Sequence, residues 1–286
     1  MMIRFPLRMA HYIMKKTATR KEVFRSMMKE KIVVITGASS GVGKETAFRC
    51  SAAGAKTILI SRNEEKLMKV CKKISLQKGQ ADYYTLDVGH PEEVKVIFNR
   101  IMDKYGRVDI LINCAGFGRF EPFVSSTIKD AERMFSVNVI GTMSCTHAVL
   151  PQMLARRSGH IVNVASIAGK LATAKSSVYS ATKHAIIGFS NALRLETADY
   201  GVNVSVINPG PIRTHFFQRA DPEGSYSTKI DRFMLDAEFV AEKIIQAIEE
   251  RKREINIPWY MGLGAKFYQW FPRISERLGG RWMKMK

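Results

Sequence analysis

From Lys31 onward, short apolar runs alternate along the chain with longer segments of helical periodicity. The runs "KIVVIT", "KTILIS", "VDILIN", "GHIVNVAS" and "NVSVIN" are apolar almost throughout rather than at alternate residues. Strands of this kind are typical of parallel sheets that helices cover on both sides. The pattern therefore predicts an α/β fold with a single doubly wound, Rossmann-type parallel sheet and helices on both faces.

The sequence predicts one folded domain with an extension at each end. Residues 31–258 contain no repeat or low-complexity linker, and "DYYTLD" and "REINIP" complete the series of strands. Residues 1–30 are predicted to be a basic, disordered arm. Two alternatives stay open for this arm: a transit peptide, or a non-native extension ahead of a start at Met27 or Met28. Residues 259–286 form a basic, aromatic C-terminal tail.

The formal charge of +19 is concentrated at the ends of the chain. Residues 1–31 carry nine Lys/Arg against two Glu, and residues 259–286 carry six Lys/Arg against one Glu. A nucleic-acid groove across the main domain would need its cations in the middle of the chain, so no nucleic-acid partner is expected. An anionic surface that meets the ends remains open.

The four cysteines are scattered without a C-x-x-C pair. This spacing suggests neither a disulfide framework nor a zinc site, so no metal is expected and the thiols fit a reduced, cytoplasmic protein. The sequence also contains no run of eighteen apolar residues that would span a bilayer.

A glycine-rich turn, "TGASSGVG", joins the first strand to the first helix of the domain. Such a turn lets the backbone approach a pyrophosphate, whose charge is met by N–H groups and the positive end of the helix dipole. The spacing differs from G-x-G-x-x-G, and no G-K-[ST] follows, so a P-loop is not indicated. A turn without a ligand is the alternative. The residues assigned to cofactor binding here are Gly37, Ser39, Ser40, Gly41, Val42 and Gly43.

The second strand ends in Ser61 and Arg62, with no carboxylate before the next helix. A carboxylate at this place would bind the ribose 2′-hydroxyl, whereas an arginine accommodates a 2′-phosphate. Arg62 therefore favours NADP(H) over NAD(H). The alternative is that Arg62 is a solvated residue at the turn.

Polar residues also end the third and fourth strands. Asp87, followed by Val88, and Asn113 stand where ligands bind in open parallel sheets. Asp87 could instead cap the following turn, and Asn113 could bond a neighbouring backbone group.

The segment "VYSATKHAIIGF" places Tyr179 and Lys183 four residues apart. In a helix both side chains would point from the same face, one turn apart. A nearby cation favours the phenolate, so Lys183 is expected to lower the pKa of Tyr179 and make acid–base catalysis possible. Two polar residues on an ordinary helix are the alternative, which the pair alone does not exclude.

Together these motifs resemble the short-chain dehydrogenase/reductase family across residues 31–258, within which the chain is similar to an uncharacterised bacterial branch. The resemblance rests on six elements in order; Cys114 departs from a frequent second Asn. The elements are T-G-x-x-x-G-x-G from Thr36 to Gly43, N-x-A-G from Asn113 to Gly116, Asn138 in "FSVNVIG", Ser166 in "VNVAS", Y-x-x-x-K from Tyr179 to Lys183, and "NPGPIRT" from Asn208 to Thr214.

The resemblance implies a role for each matching residue. Tyr179 would be the acid/base, Ser166 would bind the substrate oxygen, Lys183 would also hold the ribose, and Asn138 would hold a water that links Lys183 to solvent. The resemblance also implies a homo-oligomer. The remaining residues that it assigns to the cofactor are Ala115, Gly116, Pro209, Gly210, Ile212 and Thr214.

Two segments beyond these motifs bear on the substrate and on partners. Residues 212–234 are expected to form a mobile, apolar flap, which favours an apolar carbonyl substrate; the alternative is simple packing of its aromatic residues, Phe216, Phe217, Tyr226 and Phe233, with Met234. In residues 259–286, aromatic side chains alternate with cations, a mixture that favours an anionic membrane surface. A sister subunit or the protein's own cleft are the rival partners of this tail.

The function predicted from sequence is an NADP(H)-dependent oxidoreductase that transfers a hydride between nicotinamide and a small carbonyl or alcohol. The alternative is a cofactor-binding sensor or scaffold without turnover. The expected location is cytoplasmic, with membrane association left open.

Overall fold

The computed structural model describes residues 22–221 and 224–283. Seven parallel strands form one sheet in the order β3-β2-β1-β4-β5-β6-β7, which confirms the doubly wound parallel sheet predicted from sequence. The chain reverses its direction of winding between β1 and β4, where ligands bind in such sheets. The strands are β1 (Ile32–Thr36), β2 (Lys56–Ser61), β3 (Gln80–Thr85), β4 (Ile110–Asn113), β5 (Gly159–Val164), β6 (Val202–Pro209) and β7 (Glu254–Ile257).

Helices connect the strands and extend the chain beyond the sheet. A π-helical turn at Ser136–Ile140 joins α5 to α6, so the chain is helical without a break from Ile128 to Ala155. The helices are α1 (residues 22–28), α2 (Gly41–Ala52), α3 (Glu64–Leu76), α4 (Pro91–Tyr105), α5 (Ile128–Phe135), α6 (Gly141–Ala155), α7 (Ser177–Thr197), α8 (Phe216–Ala220), α9 (Ser225–Ile230), α10 (Ala237–Glu249), α11 (Trp259–Trp270) and α12 (Pro272–Met283).

The apolar strands are buried on both faces because each face carries its own helical layer. Val33 and Ile35 of β1 pack with α1, α2, α3 and α10, whereas Val34 packs with α4, α6 and α7. All three side chains are fully buried. The central strands therefore lie between two hydrophobic cores. The carboxyl ends of these strands carry the polar residues predicted for the site.

The N-terminal boundary differs from the one predicted. Residues 1–21 of the expected arm lie outside the described residues, but residues 22–28 form a helix. Phe24 and Met28 are buried in the core beside Ala47 and Ala53. The dense positive charge of this segment obscured two apolar side chains four residues apart, which lie on one helical face.

The segment after β7 forms two helices, α11 and α12. α11 packs against β7 and against the short turn at Ile167–Gly169, and α12 packs against α11. Within the described residues, none of the helices is both long and apolar enough to cross a membrane.

Candidate active site

A cavity of about 820 Å³ opens at the carboxyl ends of the central strands. Its volume falls in the range that protein sites use for small molecules and cofactors, about 300–1,000 Å³. All but two of the residues predicted for the site line this cavity: Gly37, Ser39, Ser40, Gly41, Val42, Gly43, Arg62, Asp87, Val88, Ala115, Gly116, Ser166, Tyr179, Lys183, Pro209, Gly210, Ile212 and Thr214.

The glycine turn brings the backbone of β1 close to that of β4. Gly37 has φ +67°, and a Cβ there would lie 2.9 Å from the backbone N and Cα of Ala115. A Cβ on Gly43 would lie 2.5 Å from the carbonyl oxygen of Gly37. Only glycine fits this packing, which places the N-terminus of α2 against the cavity. First-turn N–H groups of a helix lack partners within the helix, so this cradle fits a pyrophosphate.

Basic residues dominate the far end of the cavity, beyond β2. Arg62 and Lys66 line it, and Arg62 is half exposed. Asn63 caps α3 by accepting a hydrogen bond of 2.8 Å from the backbone N–H of Lys66, which fixes where this lysine emerges. Sequence reasoning missed Lys66, although it stands one helical turn after Arg62.

Asp87 both caps its turn and faces the cavity. Its Oδ1 accepts a 3.0 Å hydrogen bond from the backbone N–H of Gly89, and its Oδ2 binds Arg133 and lies 3.7 Å from Nη1 of Arg62. Burial disfavours the carboxylate, but the bonds from Gly89 and Arg133 outweigh burial and lower the pKa of Asp87. An ionised Asp87 therefore holds Arg62 near the cavity.

Tyr179 and Lys183 both project from α7 into the cavity, and both are more than nine-tenths buried. The Nζ of Lys183 lies 5.8 Å from the centre of the Tyr179 ring and donates a 3.0 Å hydrogen bond to the carbonyl oxygen of Val164. Ser166 follows β5, accepts a 3.1 Å bond from the N–H of Ala168, and hydrogen-bonds Tyr179. Two hydroxyls and an ammonium group thus line the same part of the site.

The pKa values of the pair correct the expectation from sequence. Burial raises the pKa of Tyr179 to about 12, against the opposing hydrogen bond from Ser166. Burial also lowers the pKa of Lys183 to about 8, against the opposing Cys114 thiol. Lys183 was expected to lower the pKa of Tyr179. Instead, the pKa of Tyr179 is raised because the phenol is enclosed by protein, and the ammonium of Lys183 bonds the carbonyl oxygen of Val164.

The two predicted residues that do not line the cavity lie behind it. Asn138 is buried in the π-helical turn, accepts a 3.0 Å bond from the N–H of Phe117, and donates a 2.8 Å bond to the carbonyl oxygen of Phe117. It also donates to Thr182, one residue before Lys183. Asn138 therefore ties the wall segment after β4 to the helix that carries Tyr179.

Asn113 belongs to the interior of the sheet rather than to the cofactor surface. Its amide donates a 2.9 Å hydrogen bond to Asn163 of β5, whose own amide donates to Ser190 of α7. The side chain of Asn113 does not line the cavity, and its cofactor contact stays a prediction. The residue sits at the predicted strand end, but the cross-sheet pairing that turns it inward is not visible in the sequence.

Aromatic side chains cover Tyr179 from the flap. The ring of Phe216 lies 5.6 Å from that of Tyr179 and 6.1 Å from that of Phe120, and Phe217 packs beside both phenylalanines. Phe120 itself was missed from sequence, because it stands in a loop with no motif. Tyr226 lies in a part of the flap whose side chains are outside the description. The reacting end of the cavity is therefore apolar.

The fold and this cavity define an oxidoreductase of the class that binds a nicotinamide dinucleotide across a Rossmann-type sheet. Residues 31–224 match the family described as short chain dehydrogenase. An uncharacterised oxidoreductase of Staphylococcus saprophyticus is 37% identical over 224 residues, which cover 78% of this chain and 93% of the relative. The chain belongs to the short-chain dehydrogenase/reductase family.

Solved structures agree with this assignment. An F189W actinorhodin polyketide ketoreductase with NADPH matches with a TM-score of 0.75 and 28% identity, over 80% of this chain and 95% of that chain. A Burkholderia phymatum short chain dehydrogenase/reductase in complex with NAD matches with a TM-score of 0.80 and 24% identity, over 86% and 95%. The second likeness shows the fold alone.

Proposed function

We propose that this protein is an NADP(H)-dependent carbonyl reductase in which Tyr179 is the acid/base. The observation that carries the proposal is the convergence of Tyr179, Ser166 and Lys183 in the cavity that the glycine turn of α2 also enters. When bound there, the nicotinamide ring supplies the hydride that the carbonyl carbon accepts, and it is oxidised in the process. The other groups of the reaction belong to the chain.

The buried phenol can serve as the acid of carbonyl reduction. With a pKa of about 12, Tyr179 is protonated at neutral pH and can donate its proton to the substrate oxygen as the C=O π bond breaks. The hydroxyl of Ser166 would hydrogen-bond the same oxygen and stabilise its developing charge. The ammonium of Lys183, 5.8 Å from the centre of the Tyr179 ring, would stabilise the phenolate that remains by the attraction of opposite charges.

The basic far end of the cavity supports NADP(H) over NAD(H). Arg62 and Lys66 line the place where β2 ends, and the carboxylate nearest to it, Asp87, is engaged by Arg133 and by Gly89 N. A 2′-phosphate would therefore meet two cations. Of the solved relatives described above, the one with the higher sequence identity contains NADPH.

The test of the cofactor is Arg62→Ala, with Arg133→Ala as the matched control. A charge-assisted hydrogen bond is worth about 1.5–3 kcal/mol, so the KM for NADPH should rise about 10- to 100-fold in Arg62→Ala while that for NADH stays constant. Arg133 contacts Asp87 without lining the cavity, so Arg133→Ala should leave the ratio of the two KM values near that of the wild type. An equal rise for both cofactors in Arg62→Ala would contradict the assignment.

The reaction itself is tested by following NADPH absorbance with a panel of ketones and aldehydes of increasing apolar size. Turnover that increases with apolar size is the expected result. Tight NADPH binding without turnover of any carbonyl would contradict the proposed reductase activity and favour a non-catalytic sensor.

We further propose that α11 and α12 contact an anionic membrane surface. Trp259, Leu263, Trp270 and Leu278 are each more than half exposed on these helices. Lys266, Arg273 and Arg277 lie among them, so apolar and cationic groups share one exterior, as at a lipid interface. Met261 of α11 instead lines the cavity. The same helix therefore also covers part of the protein's own cleft, which was the rival prediction for the tail.

Sedimentation with vesicles rich in phosphatidylserine tests this contact. The double variant Trp270→Ser/Leu278→Ser should partition less than the wild type, and Leu195→Ser, which removes an equally exposed leucine from α7, should not. Partitioning that is the same in all three proteins would contradict the proposed contact with the membrane.

A further inference from the structure

A second cavity, of about 380 Å³, lies between the flap and the C-terminal helices. The flap contributes Ile230 and Phe233, and α11 contributes Met261 and Tyr268. Neither the glycine turn nor the catalytic residues touch it. No motif in the sequence points to this space, because it exists only where the flap and α11 meet.

The second cavity adjoins the first. Leu171, Pro211 and Met261 border both spaces, so the two cavities meet at these residues. Met261 is the movable part of this partition, since methionine is unbranched and changes conformation at low energetic cost. Its Sδ lies only 3.0 Å from the place where a Cβ on Gly210 would be, so the glycine leaves the room that the thioether occupies.

The walls of the second cavity suit hydrocarbon and little else. Among the described residues that line it, none carries a charge. Two of the polar side chains at its margin already have partners: Ser275 donates a 2.9 Å hydrogen bond to the carbonyl oxygen of Phe271, and the hydroxyl of Tyr268 on α11 lies 3.5 Å from Glu276 on α12. A phosphate, carboxylate or sugar would lose its hydration there without gaining partners.

We propose that the second cavity is a subsite for an alkyl chain, so that the preferred substrates are carbonyl compounds with a long unbranched hydrocarbon tail. The carbonyl would lie at Tyr179 and Ser166, and the tail would pass Met261 into the space between Ile230 and Tyr268. This substrate class rests on the proposed reductase function, and it explains why an apolar flap and an apolar helix face each other beyond the reacting groups.

The test uses 2-alkanones from butanone to dodecanone, with NADPH saturating. Each methylene that enters an apolar site gains about 0.8 kcal/mol, so kcat/KM should rise about fourfold per methylene until the subsite is full. Gly264 lines the second cavity, and a Cβ added there would meet no atom within 4 Å. Gly264→Leu should therefore fold, keep the rate with butanone, and lose the gain with long chains.

Gly280→Leu is the matched control. Gly280 lies on α12, has the same open surroundings, and does not line the cavity, so the variant gains the same helix propensity and apolar area. It should retain the full dependence on chain length. A dependence that is identical in Gly264→Leu and the wild type would overturn the subsite.

Binding separates this inference from the reaction on which it rests. All three tryptophans lie in residues 259–282, so their fluorescence reports on ligands beside α11. In NADPH-saturated Tyr179→Phe, 2-decanol should bind several-fold more tightly than 2-butanol, and Gly264→Leu should remove the difference. If no alkanone is reduced but this difference is found, the reductase fails and the subsite stands. If neither turnover nor binding depends on chain length, the subsite is refuted.

Discussion

The carboxyl edge of the sheet and the C-terminal cover enclose the same cavities but are built in opposite ways. At the edge, buried polar side chains are fixed by hydrogen bonds to distant backbone, as Asn138 is to Phe117 and Lys183 is to Val164. In the cover, formed by α11 and α12, side chains such as Leu263 and Trp270 are mostly exposed. The reacting groups at the edge are thus held by directional hydrogen bonds, whereas the cover is held mainly by packing, with side-chain bonds such as that of Ser275 to Phe271. Substitutions should have large effects at the edge and small effects in the cover.

The largest effect is expected from Tyr179→Phe. Removal of the hydroxyl removes the proton donor, which is typically worth about 10²–10⁴-fold in rate. NADPH oxidation with a ketone should therefore fall by at least about 100-fold, while NADPH affinity measured by fluorescence titration stays near that of the wild type. Tyr200→Phe, at a half-exposed tyrosine outside the cavity, is the control. A Tyr179→Phe enzyme that keeps more than about a tenth of the activity would break the assignment.

Asn138→Ala should show how strongly the edge depends on its hydrogen bonds. The variant leaves the N–H and the carbonyl of Phe117 without their partner, at about 1–3 kcal/mol for each buried unsatisfied group. Urea denaturation should show a loss of about 2–3 kcal/mol in the free energy of unfolding. Asn99→Ala, at an exposed position of α4, should change it by less than about 0.5 kcal/mol. Equal losses of unfolding free energy in Asn138→Ala and Asn99→Ala would mean that the hydrogen bonds of Asn138 do not stabilise the edge.

Because of Lys183, the free energy of unfolding is expected to depend on pH. Its folded pKa of about 8 lies below the usual value near 10.5, so between these values the unfolded chain binds more protons than the folded one. Stability therefore rises with pH across this window, and below about pH 8 the full penalty of the buried cation is present. Relative to Lys183→Met, the wild type should gain about 2 kcal/mol in the free energy of unfolding between pH 7 and 9.5.

The check on this lysine is urea denaturation at both pH values. Lys72→Met, which removes an exposed lysine of α3, should track the wild type at each pH. A constant difference between wild type and Lys183→Met would show that the ammonium is not held in a desolvated place.

The smallest effect is expected in the cover. Leu263→Ser replaces a side chain that is 58% exposed, so the free energy of unfolding should change by no more than about 0.5 kcal/mol. Leu193→Ser, the same substitution at a buried position of α7, should be far more costly. Thermal denaturation compares the two. A large loss in Leu263→Ser would show that the cover is packed against a partner and is as constrained as the edge.

The same contrast explains what the sequence could and could not predict. The parallel sheet was predictable because each buried strand is an uninterrupted apolar run, and the glycine turn and the Tyr179–Lys183 pair because their spacing is local. The bond between the side chains of Asn113 and Asn163 was not predictable because Asn163 is fifty residues away on the neighbouring strand. The raised pKa of Tyr179 was missed because burial by Phe216 and the surrounding wall depends on the tertiary fold.

At the two ends of the chain, composition did not predict the structure. Phe24 is buried in the core, yet the cations around it suggested a free arm. The tail was recognised by its composition, but two helices and a cavity behind them were not, because the cavity arises only between α11 and the flap.

The placement of α11 and α12 also bears on how such a protein can diversify. They follow the last strand, and α11 packs on the body of the protein through β7 and the turn at Ile167–Gly169. The hydrogen bonds that fix Asn138 and Lys183 are made to Phe117, Thr182 and Val164, all of which precede this segment in the chain. Mutations accumulating in the last thirty or so residues would thus retune which molecules are accepted while the reacting groups stay in place. Proteins with the same catalytic domain can in this way differ in their substrates while they share one chemistry.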